Sequence, residues 1–268
     1  MFLDAVILIL QEILEAALLL SVLLVVSRQL GLRNNRQSDF PWYAAAVGSG
    51  IVGAALFAWA MPMVSEWFDS VGQEVSTAFM QFIVIASLYA HCLLQTQQPA
   101  SRFGNTALGL TLVVVVALAI TREGCEIFLY LNGIRGTPSA VMPALLGTGV
   151  AGGIGISAGI LLYYLLAGFS SRIALRTAMV LLALFAGNMA AQAVLLLTQA
   201  DWLPFTPQLW DSSALLTEYS VSGQLLYALV GYEATPSLAQ GLAYLAGVAL
   251  LASTPLFRRS WLESESKA

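Results

Sequence analysis

Seven runs of apolar residues, near 4–27, 41–61, 75–94, 105–131, 142–168, 174–198 and 238–257, each have the length that crosses a bilayer. A hydrocarbon core of about 30 Å takes about 20 residues at about 1.5 Å rise each. Inside that core every backbone N–H and C=O must be satisfied within the segment, so runs of this kind are expected to be helices. Hydrophobic residues make up 59% of the chain, charged residues 10%, and the mean hydropathy is +0.81, which leaves no stretch able to form a separate soluble domain. The expected fold is therefore all-α: a polytopic membrane protein of seven transmembrane helices. The first run has no basic leader and carries two glutamates where a cleaved signal would be apolar, so it is expected to remain in the mature chain.

Basic residues favour the cytoplasmic side of a membrane. Arg28, Arg33, Arg36, Arg102, Arg172, Arg176, Arg258, Arg259 and Lys267 share one side of the seven-helix arrangement, and only Arg135 falls on the other. This predicts an N-terminus outside and a C-terminus inside. Asp4, Glu66, Asp69, Glu74, Asp201, Asp211, Glu218 and Glu233 then lie outside, where they act as ordinary solvated loop acids or as a surface that concentrates cations. No basic tract suited to a nucleic acid occurs.

Four glutamates interrupt two of the apolar runs: Glu12 and Glu15 in QEILEAALLLSVLLVV, and Glu123 and Glu126 in LVVVVALAITREGCEIFLYL. An ionisable residue near the bilayer centre opposes insertion by roughly 2.5–3.5 kcal/mol. Four of them are a cost that packing alone does not require.

The two acidic segments belong to a repeat. Gln11-Glu12-Ile-Leu-Glu15 is echoed by Arg122-Glu123-Gly-Cys-Glu126, and each is followed by a proline-led, glycine-studded helix, PWYAAAVGSGIVGAA and PALLGTGVAGGIGISAG. Helices one to three match four to six, and units with an odd number of spans must enter the membrane from opposite sides. The expected organisation is one permease-type domain over 1–268: repeat one about 1–100, repeat two about 101–200, and an outer loop with a last, added helix about 201–268. The glycines at 48, 50, 53, 147, 149, 152, 153 and 155 would allow close helix approach.

Inverted repeats bring the acids to similar depth. Glutamates spaced i,i+3 share a helix face, so two facing helices could gather four carboxylates around one point in the outer half of the membrane. Oxygen donors alone favour hard cations such as magnesium, calcium, manganese or ferric iron. Arg122, one turn before Glu126, offers a charge-assisted pair that neutralises or orients a carboxylate. The competing reading, a buried ion-pair network that only holds helices together, leaves four acids against one base.

The two acidic segments resemble the R-E-x-x-E motifs carried on the first and fourth of seven helices by the high-affinity iron permeases, the oxidase-dependent iron transporter family that includes the bacterial Efe-type permease. REGCE at 122–126 is close to the usual motif, and LWDSSALLTEYSVSGQLLYALVGYEATPSLAQGLAYL is similar to the family's segment before and through the last helix. The resemblance implies iron uptake across a bacterial cytoplasmic membrane, with Glu12, Glu15, Glu123 and Glu126 binding iron during passage and Glu74 as an outer acid. It implies no enzymatic activity and no permanently bound cofactor: iron is the cargo. An iron-oxidising or iron-binding partner outside the membrane is implied as well. Gln11 stands where the family usually has arginine, and Cys125 where it has leucine, which leaves the ion's oxidation state open. The alternatives are a permease for manganese, calcium or lead, and a membrane scaffold that transports nothing.

Other polar and sulfur residues are expected to be structural. Cys92 and Cys125 read as buried small hydrophobes without a disulfide, His91 as an interfacial histidine, and Met61 and Met63 as packing or lipid-facing side chains. Asn188 and Gln192 are expected to hydrogen-bond between helices rather than line a path. Within the polar-leaning stretch 199–237, GQLLYALVGY has the pattern of a short amphipathic or re-entrant helix over the outer mouth.

Overall fold

A computed structural model of the chain describes residues 2–29, 42–96, 102–134, 136–217 and 220–257. Arg33, Arg36, Arg135, Glu218, Arg258, Arg259 and Lys267, used above for orientation, lie outside the described residues, as do the side chains of Asp4 and Arg102. The described residues form helices α1 (Phe2–Gln29), α2 (Trp42–Ser65), α3 (Trp67–Ser70), α4 (Gly72–Thr96), α5 (Arg102–Ile134), α6 (Pro138–Gly168), α7 (Ser171–Gln199), α8 (Val221–Val230) and α9 (Leu238–Ala252). Among them there is no sheet, only a single antiparallel pairing of Gln208 with Ser237.

Five described segments are long and apolar enough to cross a membrane: Ala5–Gln29, Trp42–Ser65, Gly72–Gln95, Ser139–Gly168 and Ser171–Gln199. α5 has 33 residues and is interrupted by Arg122, Glu123 and Glu126. The last apolar run, expected over 238–257, is shorter as a helix: α9 has 15 residues.

α1 and α7 lie at the centre. Ile9, Leu18, Val22 and Leu23 of α1 and Ala178, Met179, Leu182 and Ala186 of α7 are at most 2% exposed and share one core with Leu88 of α4 and Leu112 and Val115 of α5. α2 and α6 lie at the periphery, where Trp59, Leu161 and Tyr164 are 82%, 69% and 68% exposed, the pattern expected of side chains that face lipid.

Glycine sets two of the helix pairings. α1 packs along α6, and α2 along α5. A Cβ on Gly155 would stand 2.7 Å from Ile13 Cγ2, and one on Gly159 would stand 2.9 Å from Ala17 Cβ. Between α2 and α5, a Cβ on Gly50 would stand 2.7 Å from Ile120 Cβ, and one on Gly53 would collide with Thr121 Oγ1. Of the glycines expected at close approaches, Gly50, Gly53, Gly147 and Gly155 are at one, Gly152 is in ordinary contact, and Gly48, Gly149 and Gly153 face open space. The close approach also brings Ser21 Oγ to 2.7 Å from the Gly159 carbonyl, a hydrogen bond between α1 and α6.

α2 and α4 are joined by a turn that the apolar pattern did not reveal. Phe68, Asp69 and Ser70 are left-handed, with φ of 53°, 63° and 73°, so α3 is a left-handed turn. Phe68 meets Trp202 edge to face at 5.5 Å, which ties this turn to the segment after α7.

The stretch after α7 is folded rather than a plain loop. α8 starts at Ser220, whose Oγ accepts a hydrogen bond from the Gly223 N–H at 3.0 Å. It ends at Gly231, left-handed at φ 69°, against Asn188 of α7 and Tyr244 of α9. Ten residues rise about 15 Å, half a bilayer core, and α8 packs against both α1 and α7. A Ser237–Gln240 capping box then opens α9.

Candidate metal centre

α1 and α5 pack together and carry the acids. Glu12, Glu15 and Glu123 are 6%, 7% and 3% exposed, whereas the Glu126 side chain is 42% exposed. One carboxylate oxygen from each of Glu12, Glu123 and Glu126 lies within 4.8 Å of the other two. Oxygens bound to one hard cation at about 2.0–2.6 Å are separated by at most about 4–5 Å. The observed spacing sits at the open limit of that range, so a small closure would put three oxygens on one ion.

Arg122 is placed among the acids. Its Nη1 lies 2.6 Å from Glu123 Oε1 and 3.4 Å from Glu15 Oε2, and its Nη2 lies 3.6 Å from Glu126 Oε1. One guanidinium therefore serves three carboxylates from two helices. That is not enough: Glu15 Oε1 is buried with no hydrogen-bond partner, and Glu12 Oε2 and Glu123 Oε2 are buried acceptors without a donor, on two carboxyl groups that face each other. Unsatisfied buried acceptors of this kind are costly. Two ionised carboxylates at this spacing repel by on the order of 3 kcal/mol at an effective dielectric constant of about 20.

The four glutamates expected to surround one point are thus divided. Glu12, Glu123 and Glu126 form the group, and Glu15 turns toward Arg122 and α7 instead. Gln192 Nε2 donates to Glu15 Oε2 at 3.5 Å, and Gln192 Oε1 accepts from Gln81 Nε2 at 2.7 Å. Gln192 accordingly does hydrogen-bond between helices, and in doing so it touches the centre. Glu74 stands on the first turn of α4, outside the group, and Gln11 is half-buried on α1 beside Glu12.

Two residues near the acids escaped the sequence reading. Gln81 is 2% exposed, and the signal for it was present: it is a lone amide in the apolar run STAFMQFIVIA. Tyr227 of α8, half-buried, is within electrostatic reach of Glu15, Arg122, Glu12 and Glu123. No local pattern announces that proximity, because it depends on how α8 packs on α1 and α7.

His91 lies near the C-terminal end of α4 and is enclosed by protein. It is 1% exposed, with Nδ1 2.9 Å from Thr111 Oγ1, because α4 packs on α5 at that level and covers it. Met61 is buried with Val64 and Cys125, and Met63 is 58% exposed. Both cysteines are buried and free.

Fold and centre together define an all-helical protein with the long apolar helices of a membrane protein and a buried acidic centre between α1 and α5. Compared with protein-family models, with characterised proteins and with solved structures, the chain matches none.

Proposed function

We propose that the chain is a permease that takes up iron across a bacterial cytoplasmic membrane, with the glutamates of α1 and α5 binding the ion in transit. The observation that carries this reading is the Glu12, Glu123 and Glu126 group, with buried carboxylate oxygens that lack a donor. An ion-pair network that only held helices together would not leave four carboxylates around one guanidinium. The motif resemblance around 122–126 narrows a hard cation to iron. The donor set contains oxygen alone, which equally suits manganese, calcium or lead in a second reading of the same site.

The proposed architecture is seven spanning helices, α1, α2, α4, α5, α6, α7 and α9, as an inverted three-plus-three repeat plus one. The pairing of α1 with α6 and of α2 with α5 supports it. Exchanging the repeats maps α1 onto α5 and α2 onto α6, so each of these pairings becomes the other. In this arrangement the N-terminus is outside, the C-terminus is inside, and a partner that oxidises or delivers iron acts on the outer face. Glu126, the most exposed of the four acids, would be the first the ion meets.

The test is metal uptake by proteoliposomes that contain only this chain. Accumulation of iron, with manganese, calcium and lead as competitors, identifies the cargo. Failure of all four to accumulate would sink the permease reading.

A further inference from the structure

Arg122 holds carboxylates that the proposed cargo also needs. Its two terminal nitrogens reach Glu123 and Glu126, both members of the three-acid group, at 2.6 and 3.6 Å. A cation seated between Glu12, Glu123 and Glu126 would have to share those oxygens with the guanidinium or displace it. A place for the displaced arginine already exists. Glu15 Oε2 is 3.4 Å from Nη1, its Oε1 is buried and unpartnered, and Arg122 Nε is buried and unpartnered too. A guanidinium pairs best with a carboxylate through two parallel hydrogen bonds. Moving from Glu123 and Glu126 onto Glu15 would satisfy both orphaned atoms at once.

Glu15 is also approached from α7. Gln192 donates to the oxygen that Arg122 already approaches, and Gln81 fixes the Gln192 amide by donating to its carbonyl oxygen at 2.7 Å. A carboxylate fixed by α7 and α4 stays in place while the arginine and the ion exchange.

We infer that Arg122 is a tethered stand-in for the transported cation: it pairs with Glu123 and Glu126 when the centre is empty and shifts to Glu15 when the ion binds. Glu15, Gln192 and Gln81 are then positioning residues that receive the arginine, and Glu12, Glu123 and Glu126 are the ligands. The inference rests on the permease reading and gives its four glutamates two different tasks. It also explains how a strongly acidic centre can be vacated: the returning arginine competes the ion off.

The experiment measures equilibrium binding of ferrous and of manganous ions to the full-length chain in nanodiscs, beside iron uptake in proteoliposomes. A charge-assisted competitor is worth a factor of about ten or more. Arg122→Gln should therefore bind the ion at least about tenfold more tightly while taking up less iron, because release is slowed. Glu15→Gln and Gln192→Leu should bind it more weakly, and Gln192→Leu should leave thermal stability near that of the wild type. Arg122→Lys, which keeps a cation without the planar fork, should bind with an affinity between wild type and Arg122→Gln. Weaker binding by Arg122→Gln in a folded protein would overturn the inference and make Arg122 an orienting group. Absence of binding and uptake in the wild type would instead remove the permease reading itself.

Discussion

Glu123 and Glu126 stand three residues apart on one helix, yet one is 3% exposed and the other has an open side chain. Both lie within 4.8 Å of a Glu12 oxygen, so neighbouring acids do not set the difference; Glu126 lies one turn further along α5. Glu→Gln keeps the shape and removes the charge, so it separates ion binding from packing. Each of Glu12→Gln, Glu15→Gln, Glu123→Gln and Glu126→Gln should lower iron uptake at least about tenfold at normal membrane abundance, in line with the loss of one charged interaction. Radioactive iron uptake, normalised to protein in the membrane, reads this directly, and wild-type rates would make the carboxylates structural. The soft donors give the complementary prediction. Cys92→Ser, Cys125→Ala and His91→Gln should each retain most uptake, since none belongs to the oxygen group. A near-complete loss in any of the three, with the protein still folded, would show that oxygen ligands are not sufficient.

At the scale of the element, the helices that carry the centre meet α6 and α2 through close backbone approach at glycine. Gly155 and Gly159 let α6 rest on α1 behind Glu12 and Glu15, and Gly53 lets α2 rest on α5 beside Thr121. Gly155→Leu or Gly53→Leu should destabilise the protein by about 1–3 kcal/mol, the range for forcing bulk into a packed contact. Gly153→Leu, on the open face of the same helix, should be near neutral. Thermal unfolding in detergent compares the three, and equal melting temperatures would mean that the glycine contacts do not set the helix spacing. The glycine-rich character of both helices was legible in the sequence. Which glycines touch a neighbour was not, because Gly149 and Gly155 differ only in which way they face.

For the whole molecule, the proposed inverted repeat stands or falls with topology. With Cys92 and Cys125 replaced, single cysteines within 62–74 and 199–237 should react with an impermeant thiol reagent in intact cells, and those within 28–40 should not. Labelling of 28–40 from outside would break the matched depth of the two acidic motifs and the repeat relation with it.

Composition and apolar run length were enough to determine an all-helical chain with membrane-length segments, because in hydrocarbon the backbone has to satisfy itself. The i,i+3 spacing of acids inside two such runs was enough to put each pair on one helix face. Those properties are local, and the sequence states them residue by residue. Tertiary structure alone decided the rest: that three of the acids group while Glu15 is drawn to Arg122 and Gln192, that Gln81 completes the chain of amides, that His91 is covered by α5, and that α8 brings Tyr227 within electrostatic reach of the acids. Each of these depends on the direction in which one helix face meets another. Among uniformly apolar helices no stripe of polarity fixes that rotation; close packing does.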